Sequence, residues 1–163
     1  MKRQVSSRRQ FLLSAAAAGA AFSLFPSRVL GANDRVNIGI IGLGGRGGGH
    51  LKDFGRLHNV EIIAVSDADT NQMDQAGRKV AKHQDLRRLL EMKDIDAVII
   101  ATPDHWHCLA AIMAFQAGKH AYVEKPVSHN IWEGRKMVEA ARKYKRIAAA
   151  GTQQRSCPAV QQC

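Results

Sequence analysis

Residues 36–47 read Val36-Asn37-Ile38-Gly39-Ile40-Ile41-Gly42-Leu43-Gly44-Gly45-Arg46-Gly47. The first half is an apolar, β-branched run of the kind that forms a strand buried on both faces. The second half fits GxGxxG. It follows the strand directly and opens a helix that the pattern carries to about Leu57, which is the context that makes the motif informative. Gly42 permits the tight turn, Gly44 has no side chain to block a pyrophosphate, and Gly47 lets the helix pack close to the strand. Gly42, Leu43, Gly44, Gly45, Arg46 and Gly47 together form the candidate cofactor-binding turn. Its unpaired amides and the positive end of the helix dipole suit a phosphate.

Asp67 ends the next apolar run, Val60-Glu61-Ile62-Ile63-Ala64-Val65, and lies 20 residues after Gly47. A carboxylate there accepts hydrogen bonds from both ribose hydroxyls of an adenosine. It also repels a 2′-phosphate, so the reading favours NAD over NADP, and no arginine immediately follows Asp67 to reverse it. A turn cap is the bland alternative for Asp67. A methyltransferase would share the glycine turn and the acid, but it explains the later motifs poorly.

Outward from this unit, strand-like and helical stretches alternate. Helical patterns run from about Asn71 to Lys82 and from Leu86 to Met92. A strand follows at Ile95-Asp96-Ala97-Val98-Ile99-Ile100. Thr102 then reads as the N-cap of a helix with Pro103 at its first position. In that helix Cys108, Leu109, Ile112, Met113 and Phe115 point inward, and Gly118 stops it. His120-Ala121-Tyr122-Val123 is a strand. Asn130 with Glu133 begins a helix carrying Met137, Val138, Ala141 and Tyr144, and Arg146 to Ala150 is the last strand. Near-continuous apolar strands alternating with helices predict an α/β fold: a doubly wound parallel sheet of Rossmann type over 35–155, with its ligand at the carboxyl ends of the strands.

Composition narrows the function classes. The 163 residues are 45% hydrophobic and 23% charged, which is globular usage. Only 6% are aromatic, against a stacking platform for single-stranded nucleic acid. The net charge of +10 is concentrated at one end. Lys2, Arg3, Arg8, Arg9 and Arg28 lie in the first 31 residues with no acid; the remainder holds 19 bases against 14 acids. Those are interleaved, as on solvated helix faces, so no nucleic-acid partner is expected. No Cys/His cluster has zinc spacing, and no metal site is expected. Cys108 reads as core, whereas Cys157 and Cys163 could pair at the tail.

Residues 1–31 read as an address. A basic stretch ends in Ser7-Arg8-Arg9-Gln10-Phe11-Leu12, followed by a short Ala-rich apolar run to Phe25 and then Pro26. This is the plan of a secretory signal, and the paired arginines resemble a twin-arginine export signal, with Leu13 where lysine is common. It implies a periplasmic or otherwise exported protein with no membrane attachment after cleavage.

Three further segments fall at predicted carboxyl strand ends: Ala101-Thr102-Pro103-Asp104-His105-Trp106-His107, Glu124-Lys125-Pro126 and Gly151-Thr152-Gln153-Gln154-Arg155. With the glycine turn, they closely resemble the Gfo/Idh/MocA family of sugar and polyol oxidoreductases. The resemblance implies an NAD-dependent enzyme transferring hydride between nicotinamide and a sugar or polyol hydroxyl. It puts Thr102 and Pro103 on the nicotinamide side, Glu124 against the nicotinamide end, and Gln153, Gln154 and Arg155 close to the cleft. It makes Lys125 and His107 the catalytic candidates, with His107 near the substrate mouth. Family members continue into a substrate domain, so 156–163 reads as the start of a linker to a domain this chain does not include. A homo-oligomer is an option for the full-length form.

The chemistry needs a group like Lys125. As hydride leaves a carbinol carbon, the hydroxyl must lose its proton, and a lysine beside positive nicotinamide has reason to be a base. Outside the motif, Lys125 would read as a surface lysine before a turn. Pro126 would fix the backbone and aim it. His105 and Trp106 fall at the cleft rim or in helix packing. His50, His58 and His83 have no partners at metal-ligand spacing and receive no role. Two alternatives stand beside the oxidoreductase: a glycosidase of a related exported group that uses NAD transiently but usually departs from Glu-Lys-Pro, and a non-catalytic nucleotide-binding fragment.

Overall fold

The computed structural model describes residues 35–152. The export signal expected at 1–31, Gln153, Gln154, Arg155, Cys157, Cys163 and the linker expected at 156–163 lie outside the described residues.

The elements are β1 (Val36–Ile41), α1 (Gly45–Phe54), β2 (Val60–Ser66), a 3₁₀ segment (Thr70–Ala76), β3 (Ala81–His83), α2 (Leu86–Leu90), β4 (Ala97–Ile100), α3 (Asp104–Gln116), β5 (His120–Glu124), α4 (Ile131–Lys143) and β6 (Ala148–Gly151). They form one parallel sheet in the order β3-β2-β1-β4-β5-β6. The order reverses between β1 and β4, and a doubly wound sheet opens a crevice at that point.

Period-two alternation sorts each strand between two cores. Ile38, Ile40, Val65 and Ile99 face α1 and the 3₁₀ segment, packing with Leu43 and Met73. Ile41, Ala64, Val98, Ile100, Ala121 and Val123 face α2, α3 and α4, packing with Leu89, Phe115 and Met137. The sheet is therefore covered on both faces, as its apolar strands require.

Three local expectations change. The helix expected over Asn71 to Lys82 is the 3₁₀ segment followed by β3. Asp69 caps the segment, and Gly77 ends it at φ +73°, a conformation that releases the chain to pair beside β2. Helix α3 starts at Asp104, with Pro103 extended as its N-cap. The Thr102 hydroxyl makes no hydrogen bond and so does not cap it. Leu109 is 49% exposed rather than inward, and Val138 is 44% exposed. Leu109 falls on the same side of α3 as Trp106 and Met113, turned away from the core.

Buried Lys119 is a structural surprise. Its ammonium donates to the Met92 carbonyl at 2.5 Å and the Ile95 carbonyl at 3.1 Å, closing the turn that leads into β4. Burial pushes its pKa down, opposed by Asp96 and Asp94. Lys119→Ala should cost about 1–3 kcal/mol in urea unfolding, because two carbonyls lose their donor and a cavity opens.

Candidate functional site

The carboxyl ends of β1, β2 and β4 open onto a cavity of about 1000 Å³. Gly42 and Gly44 form part of its wall, with Asp67 at one end and Thr102, Pro103 and Trp106 at the other. Glycine is required at several points for different reasons. Gly42 has φ +86°, and a Cβ there would stand 2.8 Å from the Ala101 backbone. A Cβ on residue 47 would stand 1.8 Å from the Gly42 carbonyl oxygen, so only hydrogen allows α1 to lie this close to β1. A Cβ on Gly44 would meet nothing within 4 Å, so the space over this residue is open.

Asp67 is tied to the glycine turn. Its Oδ2 accepts the Leu43 amide at 2.6 Å and its Oδ1 accepts the Asp69 amide at 2.9 Å. A carboxylate has about four acceptor positions, so two remain for a diol. On the opposite wall the Thr102 hydroxyl is buried without a partner. An orphaned hydroxyl, an open glycine cradle and a carboxylate with spare acceptor positions fit a dinucleotide along this crevice. The part of the cavity wall that α3 supplies is apolar: Trp106, Leu109 and Met113 line it together.

The chain belongs to the Gfo/Idh/MocA oxidoreductase family. The family model for its NAD-binding Rossmann fold matches residues 36–152. A glycosyl hydrolase family 109 protein from Shewanella pealeana is 38% identical over 120 residues, covering 66% of this chain and 26% of that protein. Among solved structures, myo-inositol 2-dehydrogenase from Lactobacillus plantarum aligns with TM-score 0.71 and 25% identity, covering 76% of this chain and 38% of that one. GenD2 of gentamicin A biosynthesis, solved with NAD, aligns with TM-score 0.73 and 26% identity, covering 77% and 36%. The chain thus spans about a quarter of the length of the curated relative it matches.

The Gfo/Idh/MocA motif residues divide into those that reach the cavity and those that support it. Gly42, Gly44, Asp67, Thr102 and Pro103 line it. Leu43, Gly45, Arg46, Gly47, Glu124, Lys125 and His107 do not. Lys125 is exposed at the end of β5. His107 departs from its expected place at a substrate mouth: its ring is 2% exposed. Nδ1 lies 2.6 Å from the Pro126 carbonyl and Nε2 lies 2.8 Å from the Thr102 carbonyl. Both partners are carbonyl oxygens, so a neutral ring donates to one of them, and the buried ring lies between the loops after β4 and β5. A second contact joins these loops, His129 Nδ1 to Asp104 Oδ2 at 3.3 Å, and it holds the Asp104 carboxyl below its ordinary range.

Glu124 also differs from expectation. It is 3% exposed and points beneath the sheet edge toward α1, away from the cavity. Its Oε1 accepts from Arg46 Nε at 3.1 Å and from His50 Nε2 at 2.7 Å. Its Oε2 accepts the Lys125 amide at 3.1 Å. Sequence reasoning gave His50 no role. The signal was present: Arg46 and His50 are four apart on α1, and strand alternation puts Glu124 on the side of the sheet that α1 covers. Among the described residues no His/Cys/Asp/Glu group is arranged to hold a metal, and no helix is long and apolar enough to cross a membrane.

Two glycine substitutions separate folding from binding. Gly47→Ala should destabilise the chain by about 3 kcal/mol or more, because the methyl cannot fit. Gly44→Ala should leave the unfolding midpoint nearly unchanged and weaken NAD binding at least about tenfold by filling the cradle. Denaturation and calorimetric titration of the two variants check this.

Acid stability should carry the mark of Glu124. Burial pushes its carboxyl up, but hydrogen bonds from His50, the Lys125 amide and Arg46 outweigh it and hold the pKa below the ordinary value of 4.5. The stability this contributes is fully present above the unfolded value and is lost as pH falls through the lower folded value. Glu124→Gln should therefore be less stable at neutral pH and lose less between neutral and acid pH, as followed by circular dichroism.

Proposed function

We propose that this domain serves an NAD-dependent oxidoreductase that moves hydride between nicotinamide and a hydroxyl-bearing carbon of a sugar or polyol. The observation that carries the reading is the crevice itself. Asp67 stands at one end with acceptor positions spare, Gly44 is open in the middle, and the orphaned Thr102 hydroxyl lies at the other end. The kinship with an inositol dehydrogenase supports the substrate class. Bound NAD supplies the hydride acceptor. Asp67 orients the adenosine ribose, and the Gly42–Gly47 turn cradles the phosphates. Thr102 and Pro103 line the nicotinamide half, over β4 and β5. Lys125 takes the proton that the substrate hydroxyl loses. The basic, apolar leader at 1–31 supports export by a twin-arginine signal to the periplasm.

A second reading is favoured by the relative named a glycosyl hydrolase of family 109. There the same crevice would hold NAD for a transient oxidation that ends in glycoside cleavage. The Glu124-Lys125-Pro126 segment supports the first reading over this one.

Calorimetric titration should give NAD binding at least about tenfold tighter than NADP, and Asp67→Ala should reduce NAD affinity by a comparable factor. A folded chain that binds neither nucleotide would overturn the reading. Net NADH accumulation on a free polyol supports the oxidoreductase. Release of sugar from a glycoside without net NADH supports the glycosidase.

A further inference from the structure

Three donors converge on the Glu124 carboxylate. Arg46 Nε and His50 Nε2 come from α1, and the amide of Lys125 comes from the next residue along the chain. The His50–Glu124 pair is buried, and Arg46 closes over it from the solvent side. The His50 ring lies edge-on to Phe54 and Tyr122, with centroids 5.6 and 5.5 Å away. On β6, a Cβ at Gly151 would stand 3.0 Å from the Glu124 carboxyl carbon and from the Tyr122 hydroxyl. The side chains of His50 and Glu124 are 2% and 4% exposed.

A buried carboxylate is a costly way to fill space, because an apolar side chain of similar volume would serve packing as well or better. What the carboxylate does that an apolar group cannot is hold an amide, and the amide it holds belongs to Lys125. One oxygen is saturated by α1 and the other is turned to the Lys125 backbone.

We infer that Arg46 and His50 are positioning residues for Lys125. They orient Glu124 so that its second oxygen fixes the Lys125 main chain, tying the lysine to the helix that carries the glycine turn. The inference rests on the proposed role of Lys125 and adds the machinery that aims it. The His107 ring lies against the Pro126 carbonyl, one residue further along.

The test is amide hydrogen exchange by NMR on the whole chain, comparing wild type with His50→Phe and Arg46→Met. The Lys125 amide should exchange about tenfold faster in both variants, the effect of losing one hydrogen-bonded anchor. Amides of β1 and β4 should keep wild-type rates. A further variant gives a readout that a merely structural role would not move: His50→Gln, which keeps a donor for Glu124, should return the Lys125 amide to near its wild-type rate.

An unchanged Lys125 amide would overturn the inference. So would faster exchange spread equally over Lys125, β1 and β4, or a Lys125 amide as fast in His50→Gln as in His50→Phe. If His50→Phe does not fold, Arg46→Met decides by exchange alone, since that side chain is 41% exposed. If wild type binds neither nucleotide, the dinucleotide reading fails by itself. The exchange comparison still decides whether α1 holds Lys125.

Discussion

The approach of α1 to the end of β1 is the constraint on which the site depends. At residue 47 the space beside the Gly42 carbonyl admits a hydrogen and nothing larger. That contact sets the height of the helix over the sheet. It brings the amides of the turn to the mouth of the crevice, where Leu43 meets Asp67 from β2. It also brings Arg46 and His50 down to Glu124 on β5. One steric limit therefore reaches the ends of three strands.

The two faces of the sheet divide the work. The face toward α2, α3 and α4 is dry and apolar, with Phe115, Leu89 and the alanines of α3 against Ile41, Val98 and Ile100. The face toward α1 is apolar under β1 and β2 but turns polar under β5, where His50, Tyr122 and Glu124 meet. Alternation along β5 decides which residue goes where: Ala121 and Val123 enter the apolar core, and Tyr122 and Glu124 face α1. Between the loops at the carboxyl edge lies His107, its buried ring set against the Pro126 and Thr102 carbonyls.

Most of the architecture was legible in the sequence because parallel strands buried on both faces leave near-continuous β-branched runs. β1, β2, β4 and β5 are such runs, and the glycine turn with Asp67 announced the crevice. β3 was missed because Ala81-Lys82-His83 is short, half-exposed and held only by pairing with β2, so it carries no apolar signature. Leu109 was misplaced because an apolar residue lining an open cavity has the same one-letter appearance as one in a core. The side of the sheet that Glu124 takes is legible from alternation along β5, but its pairing with His50 and the His107 contact to the Pro126 carbonyl are not. Those partners lie more than fifteen residues away, which no local pattern displays. Lys119 carries no local signal of its burial, since a lysine after a helix-ending glycine ordinarily points to water.

The wall formed by Trp106, Leu109 and Met113 has a thermodynamic consequence. Trp106 and Leu109 are 44% and 49% exposed, so this apolar surface is wetted whenever the crevice is open. A flat heteroaromatic ring laid against it releases that water, and removal of apolar surface from water lowers the heat capacity. The binding enthalpy of a nucleotide here will therefore grow more favourable as temperature rises. Its slope measures how much of α3 the ligand covers.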